Sequence, residues 1–368
     1  MIRVFFLIFL MGLSGCHVGR FVIYNFADYK DYRKFPVHTV HADSSNTYTF
    51  PEIGDEQRTI SAFPDEHDSF EDWIEKHGTL AFMVIRNDTI QYEWYKKDFD
   101  RTSIFTSFSL MKSIVSMLAG IAIEEGRLNL SDEIGEYLPE IKDTAVQKVQ
   151  VDDLLNMTSG IKFKESYFNP FASIARLYYG RRILRYIRNL KLEHPPGGHF
   201  HYCSMDTQLL SLVIERATGT TISEYMEQRI WSQISTAYDA TWNVDSKRHD
   251  TEKGFACFNA TMVDYAKLGK LMLQNGKWND EQIIPAGWIE RSVRQNALTE
   301  RYAYQWWFPT STDDLDYVAQ GILGQYLYIN EESNTIVLRF GKKWGKINWT
   351  DLFYKLSSKP ALFVNSGD

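Results

Sequence analysis

Three patterns in the sequence predict an α+β fold, with an antiparallel sheet built from both chain ends, flanking helices and a helical insertion between the ends. Residues 79 to 97 read as a β-hairpin, with Leu80 to Arg86 running up, a turn at Asn87-Asp88, and Thr89 to Tyr95 running back. Tyr317 to Asn330 and Thr335 to Phe340 read as late strands around a turn at Glu331 to Asn334. Residues from about 130 to 235 carry mainly helical patterns. Strands at the two ends and helices in the middle put one sheet at the junction of the ends. No internal repeat is visible.

The first sixteen residues read as a targeting segment. Arg3 precedes an apolar run from Val4 to Leu13, too short to span a bilayer as a helix. Leu13-Ser14-Gly15-Cys16 then looks like a bacterial lipobox, in which Cys16 becomes a lipidated N-terminus. That predicts a lipid-anchored protein of the bacterial cell envelope. His17 rather than Asp after Cys16 points to the outer membrane where a cell has one. Residues 17 to 65 are mixed and turn-rich, a tether and wrapping segment.

The hairpin follows, then a helix. Thr106 or Ser107 is the predicted N-cap, Ile114 to Ile123 is apolar nearly all round, and Gly126 is a stop. Such a helix belongs in the core. Residues 254 to 292 carry another helix and a loop. The α/β part is expected over about 66–129 and 236–368, and the helical part over about 130–235.

Composition excludes some functions. The chain has 368 residues, 44% hydrophobic and 24% charged, with a net charge of −7. That is ordinary globular composition and argues against a nucleic-acid partner. The run Arg181, Arg182, Arg185, Arg188, Lys191 has helical spacing and reads as a solvated helix face. Setting Cys16 aside leaves Cys203 and Cys257, for which an exported compartment permits but does not require a disulfide. His199 and His201 alternate on one side of an expected strand. A histidine pair alone reads as polar packing, so no metal is predicted.

Ser109-Leu110-Met111-Lys112 spells S-x-x-K at the start of the buried helix. The spacing puts both side chains on one face, one turn apart. A serine hydroxyl becomes a nucleophile when a neighbour takes its proton, and a desolvated lysine gives up its own proton readily. Four letters alone also fit a cap serine and a snorkelling lysine.

Further segments agree with the enzymatic reading. Leu154-Leu155-Asn156-Met157-Thr158-Ser159-Gly160 follows the helix, then Tyr202-Cys203-Ser204 after Pro196-Gly197-Gly198, then Gln320-Gly321-Ile322-Leu323-Gly324-Gln325. In this order they resemble the penicillin-binding-protein-like serine hydrolases, with the β-lactamase/transpeptidase-like fold. The nearest branch is that of class C β-lactamases and their esterase and amide-hydrolase relatives, including 6-aminohexanoate-dimer hydrolase. The resemblance covers about residues 70 to 345, within a hydrolase domain expected over 66–368.

The resemblance implies roles. Ser109 is the nucleophile and Lys112 keeps the site positive and assists proton removal. Tyr202 sits beside both, and a neighbouring ammonium would favour its phenolate as the base. The backbone N–H groups of Ser109 and Ile322 form the oxyanion hole. Ser204 stands where Asn is commoner, and Gly321 admits substrate. Trp306, Trp307 and Tyr167 are candidates for the pocket wall, the two tryptophans equally for plain core. No cofactor is implied, and the substrate is a small ester or amide.

One departure narrows the chemistry. β-Lactamases and peptidases usually carry a cationic triplet such as K-T-G on the late strand, and this chain has Ala319-Gln320-Gly321. The cation that reads a substrate carboxylate is missing there, which favours neutral esters or amides. A true β-lactamase or D,D-peptidase is the competing enzymatic reading. A non-catalytic ligand-binding envelope lipoprotein is the third. Without G-x-S-x-G, an α/β-hydrolase elbow is disfavoured.

Overall fold

The computed structural model describes residues 17–24, 26–43, 45–53, 58–60, 69–294, 299, 301–309, 316–359 and 363–365. Cys16, the targeting segment and the expected boundary near residue 65 lie outside the described residues. No helix among the described residues is long and apolar enough to cross a membrane.

The main sheet is antiparallel, with seven strands among the described residues. Their order is Tyr302–Ala303, Trp306–Trp307, Asp316–Gly321, Gln325–Asn330, Thr335–Gly341, Thr79–Arg86 and Thr89–Tyr95. Late and early strands meet where Val337 pairs with Val84, so the chain ends close one sheet. The hairpin turns at Asn87 and Asp88, with φ of 48° and 63°. These are the left-handed values that a two-residue turn needs and that Asn and Asp tolerate.

Both faces of the sheet are covered. Phe82, Val84 and Val337 face a small core with Phe70, Trp73, Trp349 and Phe353 from the helices Phe70–Lys76 and Trp349–Ser358. Met83, Ile85 and Leu338 face the large core around the helix Met111–Glu124. This two-sided burial is why Thr79–Arg86 reads as a nearly continuous apolar run.

Between residues 130 and 235 the elements are helical, as far as they are regular. The helix Ser204–Thr218 packs against Met111–Glu124. Gly126 ends the latter with φ of 66°, while its N–H reaches the Ile123 carbonyl.

Several expectations change. Tyr317 to Asn330 is not one strand. Ile322-Leu323-Gly324 folds it into a hairpin, with Leu323 and Gly324 at φ of 69° and 83°. A second sheet of Val37–Val40, Ala240–Asn243, Phe258–Thr261 and Ile104–Thr106 was not foreseen, because strands of three or four residues leave little periodic signal. His199 and His201 lie on no strand, and His201 Nε2 meets the Phe163 carbonyl at 3.2 Å. Ser107 does not cap the helix. Its hydroxyl accepts from Phe258 N–H at 3.1 Å.

The segment after residue 16 is no free tether. His17–Tyr24 is a helix packed on the helix Ser173–Tyr179, with Phe21 buried. Farther on, Val40 and Phe50 are buried too, and these apolar anchors hold the segment down.

Candidate active site

Ser109 stands at a sharp strand-to-helix junction. The strand Ile104–Thr106 ends, a single 3₁₀ turn over Phe108–Leu110 follows, and the helix starts at Met111. Phe108 has φ of 45°, a strained value for a bulky residue. The strain is held by pairing on both sides. Ser107 N–H donates to the Phe258 carbonyl at 2.8 Å, and Ser113 Oγ to the Gln305 carbonyl at 2.7 Å.

Lys112 is the second residue of the helix, one turn after Ser109, and its Nζ donates to Ser109 Oγ at 3.1 Å and to the Phe255 carbonyl at 2.6 Å. Lys112 is fully buried, and burial pushes its pKa down to about 8, against the opposing pull of Glu165. A substantial neutral fraction therefore exists near neutral pH, the form that can accept a proton.

Tyr202 completes the cluster. Its ring centre lies 5.4 Å from Lys112 Nζ. The Leu154–Gly160 motif places it. Met157 takes the His201 N–H on its carbonyl at 2.9 Å and the Cys203 N–H on its sulfur at 3.3 Å, so both neighbours of Tyr202 are clamped. Burial raises the Tyr202 pKa well above the ordinary phenol value, and the Glu165 charge raises it further, while a hydrogen bond with Ser109 pulls the other way. Desolvation first and the Glu165 charge second thus work against the phenolate expected from the sequence.

Glu165 was missed by the sequence reading, although Tyr167 two residues on was not. Its carboxylate accepts from Ser204 N–H at 3.0 Å, Ser204 Oγ at 2.7 Å and Tyr167 Oη at 2.9 Å. Ser204 and Tyr167 are therefore held together by one acid. The only sequence signal was an acid beside an aromatic in a turn-rich stretch. Phe255, whose carbonyl holds Lys112, had no signal, because backbone acceptors leave no mark on side-chain identity.

The late strand comes close because of Gly321. A Cβ there would stand 2.3 Å from the Ser107 carbonyl oxygen and 3.2 Å from Ser109 N. Only glycine lets the backbone pass. Ile322, the next residue, lines the same small pocket as Ser109. The pocket is a cavity of about 30 Å³, walled also by Tyr167, Ser204, Phe255 and Ala256. Phe21 and Ala27 of the N-terminal segment line it too, which the sequence reading did not foresee.

The two tryptophans divide. Trp306 is core, buried and set edge-on to Tyr317 at 5.1 Å, so it is no pocket wall. Trp307 points the other way along its strand and lies 5.4 Å from the Tyr202 ring. Gln320 is half-buried on its strand and does not line the pocket among the described residues. Cys203 and Cys257 are both buried free thiols. No group of three or more potential metal ligands occurs among the described residues.

The chain as a whole is similar to known proteins. The Beta-lactamase family model matches residues 70–347. The chain belongs to the Beta-lactamase family. It is a serine hydrolase of that family, and the α+β fold follows. A 6-aminohexanoate-dimer hydrolase of Paenarthrobacter ureafaciens is 26% identical, over 72% of this chain and 73% of the relative. The solved structure of a provisionally named 6-aminohexanoate-dimer hydrolase of Bacillus anthracis superposes with a TM-score of 0.78 at 23% identity, covering 93% of this chain and 94% of that one. A penicillin-binding protein of Bacillus halodurans gives a TM-score of 0.62 at 17% identity, over 78% and 98% of the two chains.

Proposed function

We propose that this serine hydrolase cleaves small uncharged amides or esters through an acyl-enzyme on Ser109. The carrying observation is the 3.1 Å contact between Lys112 Nζ and Ser109 Oγ at the floor of a pocket. In its neutral form Lys112 takes the Ser109 proton as Oγ attacks the carbonyl carbon. The developing oxyanion accepts from the Ser109 and Ile322 N–H groups. The intermediate collapses, the carbon–heteroatom bond breaks, and the leaving group receives a proton through the neutral Tyr202 hydroxyl, which Lys112 resupplies. Water then attacks the ester by the same path in reverse. The amide reading draws support from the 6-aminohexanoate-dimer hydrolase likeness.

Electrostatics supports a neutral acyl side. Among the described residues lining the pocket there is no Lys or Arg, and Glu165 adds a negative charge to Tyr167 and Ser204. Desolvating a substrate carboxylate without a partner costs several kcal/mol. Penicillins and D-Ala-D-Ala peptides should therefore be poorer substrates than p-nitrophenyl acetate or simple amides. Mass spectrometry after exposure to an activated ester, a fluorophosphonate and a penicillin tests this. Acylation at Ser109 by the first two is expected. A penicillin that acylates faster than the ester would overturn the substrate class, and labelling at another residue would remove Ser109 as nucleophile.

We also propose lipidation at Cys16 and an envelope location. The support is the lipobox alone. Cys16→Ser should release the protein from the membrane fraction, and an unlipidated wild-type N-terminus would end this reading.

A further inference from the structure

The basic run expected as a solvated helix face is exposed throughout, but it does not share one helix face. The helix there spans only Ile183–Ile187, too short to carry the whole run on one face. Arg181, Arg182 and Arg185 line an open cavity of about 1070 Å³, separate from the small serine pocket. Lys247 and Arg248 close it from the opposite loop, and Arg176 from the neighbouring helix. His17 and Arg20, from the N-terminal helix, form a further wall.

The charge is not balanced locally. Among the described residues, Arg181, Arg182, Arg185, Lys247 and Arg248 form no ion pair, although the protein as a whole carries a charge of −7. The acid that lines the cavity, Asp245, is buried and already used. It accepts from Ile183 N–H at 3.0 Å and from Ser246 Oγ at 3.2 Å. Burial holds the His17 pKa below its ordinary value, and Arg176 and Arg20 lower it further, as a positive field requires. Like charges gathered around an open space repel one another, and an anion that fills the space relieves that cost.

Size and geometry define the ligand. The volume is at the upper end of small-molecule sites. Arginine forks suit phosphate oxygens, and several around one space suit more than one negative charge. We propose that this cavity binds a phosphate group carrying two or more negative charges, as a polyphosphate or as the phosphomonoester head group of an anionic lipid. The lipid source gains weight from the proposed anchor at Cys16, which adjoins His17 in sequence. The phosphate chemistry does not depend on that anchor or on the proposed hydrolytic substrate.

The test is calorimetric titration of the purified full-length protein at low salt with tripolyphosphate, dihexanoyl phosphatidic acid and dihexanoyl phosphatidylcholine. Saturable binding of tripolyphosphate alone supports the site and a soluble ligand. Saturable binding of phosphatidic acid, but not of phosphatidylcholine, supports it with a lipid head group. The double variant Arg182→Glu, Arg185→Glu should weaken either by at least roughly tenfold, with ester turnover at Ser109 unchanged as the check on folding. Lys247→Ser with Arg248→Ser should weaken it from the other side of the cavity. No saturable binding of either phosphate probe, equal binding of phosphatidylcholine, or undiminished binding in both correctly folded double variants would overturn the proposal.

Discussion

The serine pocket and the arginine cavity are neighbours built by opposite rules. The pocket is about 30 Å³, walled by Phe21, Phe108, Tyr167 and Phe255, and behind its Ser109 lies the buried Lys112, whose charge burial weakens. The cavity is about 1070 Å³ and lined by several arginines, of which Arg181, Arg182 and Arg185 are exposed. One element divides them. The helix His17–Tyr24 gives Phe21 to the pocket and His17, Arg20 and Tyr24 to the cavity, and Tyr179 lines both. The same cationic residue types serve proton transfer when desolvated and anion binding when hydrated.

The largest way to break this comparison is at the nucleophile. Ser109→Ala should reduce ester turnover by roughly 10⁶, with the fold intact by circular dichroism, as for other serine hydrolases that lose the attacking hydroxyl. Retained turnover in the purified variant would mean that the small pocket is not where the chemistry happens. Next come the proton-transfer partners. Lys112→Ala and Tyr202→Phe should each slow acylation by roughly 10²–10⁴. Both act on one proton, so the double variant should lose much less than the product of the two. Pre-steady-state burst rates for the three variants decide this, and full multiplicativity would separate the two residues into independent roles.

Smaller effects sharpen the boundary between the two regions. Phe21→Ala should open the pocket from the side of the dividing helix. Its signature is a gain of roughly tenfold in kcat/KM for a hexanoate over an acetate ester, relative to the wild type. An unchanged chain-length profile would show that Phe21 lies off the acyl path. The smallest effect concerns pH. The neutral form of Lys112 accepts the proton, so kcat/KM should fall as pH drops below about 8 and level off above it. Glu165 raises the Lys112 pKa, so Glu165→Gln should move that acid limb to lower pH. A limb that stays in place, with activity otherwise retained, would show that Lys112 does not set it.

Parts of both regions were legible in the sequence, for different reasons. S-x-x-K is local: its geometry follows from helical rise, so Ser109 and Lys112 lie as spaced. The hairpin at Asn87-Asp88 and the stop at Gly126 are also local, because each depends on the left-handed tolerance of its own residues. Tyr202, Ser204 and Gly321 were reached through the resemblance, and the structure gathers them around Ser109. Trp306 and Trp307 were indistinguishable in sequence, since only the face of a strand puts one in the core and the other beside Tyr202. Glu165, Phe255 and Phe21 were missed. Their partners lie far along the chain, and two of them act through a backbone carbonyl or a packing surface.

By itself, the sequence determined the fold class, the buried helix and the pair Ser109–Lys112, because periodicity and one-turn spacing are properties of a few consecutive residues. Only the tertiary structure decided what surrounds them. It set three exposed arginines of one row beside a large open cavity, and packed the segment after residue 16 as a wall shared by that cavity and the serine pocket. It also set burial and the Glu165 charge against the phenolate expected of Tyr202, because a pKa answers to every charge and every shielded surface nearby, and those arrive from distant parts of the chain.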